Sequence, residues 1–161
     1  MIPAAFEYHR PSTLQDAVAL LGRLGDDAKV LAGGQSLIPL MKLRLASPRH
    51  LVDLNRITGL ASIAERDGAL VIGALVRESD LEASEVVRHR FPILADACRV
   101  IADPLIRNLA TVGGNLAHGD PANDHPAVML ALEAEVVAVG PQGPRRIPVG
   151  ELFTGPLATA L

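Results

Sequence analysis

Oxidisable and aromatic side chains are scarce in this chain. Cys98 is the single cysteine. An intrachain disulfide, a cysteine-ligated iron–sulfur cluster and a zinc site built from four cysteines are therefore excluded. One thiol reads as a small buried hydrophobe and fits a reducing compartment, so a cytoplasmic location is expected. Tryptophan is absent and aromatics make up 2% of residues, which leaves no stacking platform for single-stranded nucleic acid. Nor is there a basic block: 15 Lys and Arg stand against 18 Asp and Glu, for a net charge of −3. No nucleic-acid partner is expected. No apolar run approaches the roughly 18 residues of a membrane helix, so no membrane span is expected either. Met1-Ile2-Pro3-Ala4-Ala5-Phe6-Glu7 lacks the basic-then-apolar order of a signal peptide. The phosphate-binding spacings G-x-G-x-x-G and G-x-x-x-x-G-K followed by Ser or Thr do not occur. A nucleophile elbow and a paired-carboxylate motif are also missing. No catalytic residue is assigned; if the chain serves an enzyme, a cofactor carries the chemistry.

What is present is a large aliphatic fraction and two double glycines. Hydrophobic residues make up 49%, enough for an Ala, Val, Leu and Ile core in one domain or two small lobes. Ala32-Gly33-Gly34-Gln35-Ser36 and Thr111-Val112-Gly113-Gly114-Asn115 each follow an apolar run and lead into polar residues. Glycine permits positive φ and close approach. Successive amides in such turns converge on anions. One such loop alone reads more readily as an ordinary tight turn than as a ligand site; two of them suggest a pyrophosphate held from both sides.

The flanking pattern supplies the elements. Ser12-Thr13-Leu14-Gln15 reads as a capping box, with Leu14, Val18, Leu21 and Leu24 at helical spacing and Gly25 ending the helix. Ala28 to Leu31 is a short buried strand, and Ser36 caps a helix through Leu37, Leu40 and Leu43. The first glycine pair thus lies at a strand-to-helix junction, where backbone donors are free. His50 to Leu54 is a second strand. Asp67-Gly68 turns a hairpin between Ser62–Glu65 and Ala69–Ile72. Helices are expected from Ser79-Asp80, from Pro92 and from about Pro126 to Leu132. Two further strands cover Glu135–Val139 and Arg145–Val149. Pro148 to Phe153 begins a short helix, and the apolar stretch to Leu161 reads as a cut end within something longer.

Polar candidates outside the glycine pairs are weaker. His118, Asp120, Asp124 and His125 invite a metal reading, yet Pro121 and Pro126 break any helical register. A polar loop of Asp and Asn turns is favoured, and no metal ligand is assigned. Asp124 is placed to cap the following helix or to meet a ligand hydroxyl. Arg44, Arg77, Arg99 and Arg107 read as solvated or packing residues; Arg107, beside Asn108 just before the second glycine loop, is also placed to order that loop or to face a partner.

Six stretches carry a resemblance over essentially the whole chain: F-E-Y-H-R-P (Phe6 to Pro11), L-A-G-G-Q-S-L-I-P-L-M-K (Leu31 to Lys42), H-L-V-D-L (His50 to Leu54), I-A-D-P-L-I-R-N (Ile101 to Asn108), T-V-G-G-N (Thr111 to Asn115) and G-D-P-A-N-D (Gly119 to Asp124). In these the chain resembles the medium, FAD-binding subunit of molybdenum hydroxylases, the carbon monoxide dehydrogenase and xanthine dehydrogenase family. The resemblance implies an α+β fold of the PCMH type (vanillyl-alcohol-oxidase-like). Its two small lobes would span residues 1–56 and 57–161, with FAD between them and a C-terminal domain beyond Leu161. It places Lys29, Val30, Leu31, Ala32, Gly33, Gly34, Gln35 and Ser36 in the first FAD-binding segment. Thr111, Val112, Gly113, Gly114 and Asn115 form the second, Asp124 is a polar contact, and Ile101 lies near the flavin. It implies a large molybdenum-cofactor subunit and a small subunit with two 2Fe–2S clusters as partners, and an external electron acceptor. A cofactor-free assembly module and a standalone flavin oxidase are the alternatives. The oxidase is disfavoured because covalent flavin attachment requires His or Cys near the first loop, where Gln35 stands.

Overall fold

The computed structural model describes residues 1–161. Its N-terminal part is a small parallel sheet of order β1-β3-β2, made of β1 (Glu7–His9), β2 (Ala28–Leu31) and β3 (His50–Asp53). Parallel strands need a crossover, and α1 (Leu14–Leu24) carries the chain from β1 to β2, the two strands that flank β3. Its apolar face packs on the sheet: Ala17, Ala28, Val52 and Ile57 form a small core, closed by Leu14, Leu20, Leu21 and Leu24. Val18, expected on that face, instead lines a cleft of about 840 Å³ shared with Val139 and Pro141. The cap also shifts by one residue. Thr13, not Ser12, accepts the Asp16 amide at 3.1 Å and donates to the Asp16 carboxylate at 2.6 Å. Asp16, not Gln15, thus stands at the third position of the box, and its carboxylate accepts from the Thr13 hydroxyl rather than from the Thr13 backbone amide.

After β2 the chain passes through the first glycine pair into α2 (Leu37–Lys42). Ser36 occupies the cap position there, but its side chain makes no capping bond. Beyond β3, β4 (Ile63–Arg66) and β5 (Ala69–Ile72) pair antiparallel. Their turn has φ of 51° at Asp67 and 80° at Gly68, which is why Asp-Gly serves as the two-residue connection.

Helices then dominate: α3 (Glu78–Ala83), α4 (Glu85–Arg90), α5 (Pro92–Val100), α6 (Pro104–Arg107), α7 (Val112–His118) and α8 (His125–Ala131). A second hairpin follows, β6 (Glu135–Gly140) with β7 (Gly143–Pro148); β7 starts two residues before the expected Arg145. The chain then forms α9 (Val149–Leu152) and a small pair, β8 (Phe153–Gly155) with β9 (Ala158–Thr159). The apolar stretch near Leu161 is thus paired, and Leu157 donates its amide to the Gly119 carbonyl at 2.8 Å.

The main core is made by these helices and the second hairpin. Leu81, Leu94, Cys98 and Leu152 are fully buried with Val76, Val112, Met129 and Ile147 around them. Each fully buried leucine contributes about 2 kcal/mol by removal from water. With so few aromatics, this core depends on many small aliphatic contacts. Thr13→Ala is expected to lower stability by about 1 kcal/mol, measured as a reduced urea midpoint with an unchanged m-value.

Candidate functional site

At the carboxyl end of β2 the chain turns at Gly33-Gly34, the position where open parallel sheets present ligand sites. Gly33 is required by proximity. A Cβ there would lie 2.2 Å from the Leu109 carbonyl oxygen and 2.9 Å from Ala110 Cα. Gly34 is required by conformation as well, with φ of 75°. The backbone amides of Gly33, Gly34, Gln35 and Ser36 donate to no protein acceptor. The Gln35 side chain folds back to donate to the Gly33 carbonyl at 3.1 Å.

The second glycine pair is not a loop; it forms the first turn of α7. Its amides are already used. Val112 donates to Val76 O and Gly113 to Ala74 O, both at 3.0 Å, and Asn115 to Thr111 O at 2.9 Å. Gly114 donates to Thr111 Oγ1 at 3.2 Å. The expected convergence of two sets of free amides is therefore replaced by one set, on the first segment. Glycine is needed in the second segment for closeness. A Cβ on Gly113 would meet Ala74 Cβ at 2.6 Å, and one on Gly114 would meet Thr111 Oγ1 at 2.7 Å and Ala32 Cβ at 3.9 Å. Thr111 and Val112 are buried, while Asn115 carries a buried Oδ1 with no hydrogen-bond partner.

A polar clasp joins the two segments. Asn55 donates to the Ala32 carbonyl at 2.9 Å and accepts from Arg77 Nη2 at 2.6 Å. Arg77 Nη1 in turn donates to the Leu109 carbonyl, the group against which Gly33 sits. Arg77 also pairs with Thr111 in an isolated antiparallel bridge. The expected solvated or packing role of Arg77 thus becomes a bridging one. Asn55 escapes a motif search because the two groups it bridges, Ala32 and Arg77, are distant in sequence. Asp53 fixes Asn55 by accepting from its backbone amide at 2.8 Å and its side chain at 2.6 Å, and it also accepts from the Tyr8 hydroxyl.

The remaining expected residues are spread around this seam. Lys29 and Val30 are exposed on β2, and Leu31 packs its Cδ1 beside Gly34. Ile101 is buried at the end of α5, and its carbonyl accepts from Arg107 at 3.1 Å. Arg107 also pairs with Glu82 at 3.2 Å, so it orders the bend at Ile101-Ala102. Asp124 is exposed at the head of α8 and makes no side-chain capping bond. Its neighbour Asn123 donates to the Asn115 carbonyl at 2.9 Å, which ties this loop to the second segment. The 840 Å³ cleft beside α1 contains none of these residues.

His118, Asp120, Asp124 and His125 do not converge. Asp120 accepts the Ala122 amide at 2.9 Å in the expected Asp turn, and His125 is fully buried. His125 Nε2 lies 2.6 Å from Glu78 Oε2, and the Cys98 thiol approaches the same oxygen at 3.5 Å. Burial and the Glu78 charge push the Cys98 thiol well above its ordinary pKa, so it stays protonated and donates. This polar cluster inside the apolar core has no spacing signal, since 47 residues separate Glu78 from His125.

Comparison with known proteins decides the family. The family model described as the FAD binding domain in molybdopterin dehydrogenase matches residues 4–161. The chain belongs to this family. The chain is similar to the carbon monoxide dehydrogenase medium chain of Hydrogenophaga pseudoflava, with 53% identity over 100% of this chain and 56% of that protein. It is 48% identical to the medium chain from Afipia carboxidovorans, over the same shares. Among solved structures, carbon monoxide dehydrogenase from Hydrogenophaga pseudoflava lacking the Mo-pyranopterin moiety matches with a TM-score of 0.98 and 54% identity, covering 100% of this chain and 56% of that one. The expected α+β FAD-binding fold is thereby confirmed. The chain spans 56% of the length of these relatives. No helix is long and apolar enough to cross a membrane.

Two outcomes follow from the buried polar groups. Glu78→Ala leaves His125 and Cys98 without their acceptor in the core and is expected to cost about 3 kcal/mol in urea unfolding. Asp53 is held below its ordinary value: burial pushes it up, but the Tyr8 hydroxyl, the two Asn55 donors and the Arg10 guanidinium outweigh that. A depressed carboxyl stabilises the fold above its unfolded pKa and loses that contribution as the pH falls through the folded one. Stability is therefore expected to drop as the pH falls through and below 3.8, and Asp53→Asn to flatten that part of the profile in pH-dependent melts.

Proposed function

We propose that this chain binds FAD at the seam between the two glycine segments, in lobes divided at residues 1–56 and 57–161. The observation that carries the reading is the run of free amides from Gly33 to Ser36, set where a side-chain-free backbone meets Leu109. Four donors without a protein acceptor suit a pyrophosphate. Across the seam, Gly114 has only the Thr111 hydroxyl and the small Ala32 beside it, Gly113 is closed over by Ala74, and the buried Asn115 Oδ1 awaits a donor such as a ribose hydroxyl or ring N–H. Thr111 keeps its own hydroxyl proton available while accepting from Gly114. In this reading Lys29, Val30, Leu31, Ala32 and Gln35 line the first side, Val112 supports the second, Ile101 lies near the flavin, and Asp124 meets a polar group of the cofactor. Asn55 and Arg77 keep the two sides at fixed separation.

When bound, FAD supplies one- and two-electron chemistry between partner redox centres and an external acceptor. The chain's residues bind and orient it and supply no acid, base or nucleophile. The complete protein would act as the medium subunit of a molybdenum hydroxylase. Its proposed partners are a large molybdenum-cofactor subunit and a small subunit carrying 2Fe–2S clusters, and its location the cytoplasm. Similarity to medium chains named as such supports this assignment.

Gly114→Val displaces the Thr111 hydroxyl that caps α7, a loss of about 1 kcal/mol that leaves the fold formed, and fills the side of the seam that faces Ala32. The variant is expected to purify folded, with a native circular-dichroism spectrum, and to lose the visible flavin absorbance. Full flavin retention would overturn the pyrophosphate assignment. Arg77→Ala is expected to weaken FAD retention by about tenfold, through loss of charge-assisted bonds to Asn55 and Leu109, measured by fluorescence titration of the released flavin.

A further inference from the structure

A second constellation lies on the α1 face of the parallel sheet. Side chains alternate along a strand, and paired residues of neighbouring strands share a face. The register Glu7 with His50, and His9 with Val52, therefore places Glu7, His9 and His50 on one side, beside the Val52 that α1 covers. Tyr8 and Leu51 lie on the other side. His9 Nε2 is 3.2 Å from His50 Nδ1. The Glu7 carboxylate oxygen is 3.4 Å from that same His50 nitrogen and 3.8 Å from His9 Nε2.

Two of these separations, 3.2 and 3.4 Å, match the edges of a coordination tetrahedron, and the third, 3.8 Å, needs only a small turn of the exposed Glu7 side chain. Zinc bonds to imidazole nitrogen and carboxylate oxygen are ~2.0 Å, so two ligand atoms of one tetrahedral ion lie ~3.3 Å apart. The donor set agrees with the geometry. Two imidazoles and one carboxylate are borderline ligands that suit zinc and its neighbours better than calcium or magnesium, which take oxygen alone. The two histidines are half-buried, with 27% and 19% of their side chains exposed, while Glu7 is 73% exposed. The rings are therefore held by packing, and the fourth position faces water. The Glu78, Cys98 and His125 cluster differs on both counts: it is sealed in the core, and its 2.6 Å contact is a hydrogen bond too short for two ligands of one ion.

We propose that Glu7, His9 and His50 form a zinc-class divalent metal site with three protein ligands and a fourth position open to water. The ion would join β1, an edge strand of three residues, to the central strand β3. No spacing signal announces such a site, because its two histidines stand 41 residues apart and meet only through the parallel register. The site shares no residue with the glycine seam and lies on the face of the sheet opposite Tyr8.

The test uses the purified protein with its flavin content measured, and Zn2+ and Co2+ as probes. Calorimetry with Zn2+ is expected to give one ion per chain. His9→Gln and His50→Gln are each expected to weaken it by more than about tenfold while flavin content and circular dichroism stay unchanged. His89→Gln, on α4, is the control and should bind as the unaltered protein does. With Co2+, the unaltered protein is expected to show the intense visible absorption of a tetrahedral ion, independent of how any variant folds. Zn2+ binding that survives His50→Gln would overturn the proposal. So would an unaltered protein that binds no Zn2+, or that gives only the weak spectrum of hydrated Co2+.

Discussion

The structure depends on one contact between two stretches of bare backbone. Gly33 sits against the carbonyl of Leu109 so closely that even a methyl group would overlap it. Everything around the seam serves that approach. Ala32 is small and faces Gly114, Gly113 lies on Ala74, and the hydrogen bonds of Asn55 and Arg77 bind the two carbonyls at its margins. The small parallel sheet fixes one side through β2 and the helical core fixes the other through α7. The backbone stretches of this seam have no rotamers to reorganise, and Asn55 and Arg77 are held by their hydrogen bonds. A ligand seated on it meets a surface already in shape, so little of its binding energy goes into ordering the protein.

Much of this is legible in the sequence, because glycine leaves a strong mark. Two Gly-Gly pairs with polar followers locate both sides of the seam, and the strand before Gly33 and the helix after it are readable from local pattern. What glycine cannot announce is the reason for its presence. At Gly34 the reason is positive φ, as a turn suggests. At Gly113 and Gly114 it is closeness inside a helix, so the second pair reads as a loop with free amides, when helix and cap bonds consume them. The cap at Thr13 rather than Ser12 is a smaller instance, in which two adjacent hydroxyls are equally good on local grounds.

Long-range polar pairs leave no trace of the same kind. Arg77 lies 22 residues from Asn55 and 32 from Leu109, and nothing in its immediate neighbours marks it as a bridge. His125 sits in a run of polar loop residues and groups with them by sequence, yet its side chain enters the core to meet Glu78. Charged and imidazole groups are assigned to the surface by default, and only the three-dimensional partner justifies their burial.

That same buried partner shapes the fate of the chain's only thiol. Cys98 is sealed between helices, protonated, and directed at the Glu78 carboxylate. Oxidation to a sulfenic acid and exchange with small disulfides both begin from an accessible thiolate, which this environment denies twice over. The sulfur therefore does not respond to the redox state of its surroundings while the core is closed. Any oxidant that reaches it records an opening of α5 away from α3, so the extent of its oxidation measures how often the core has breathed.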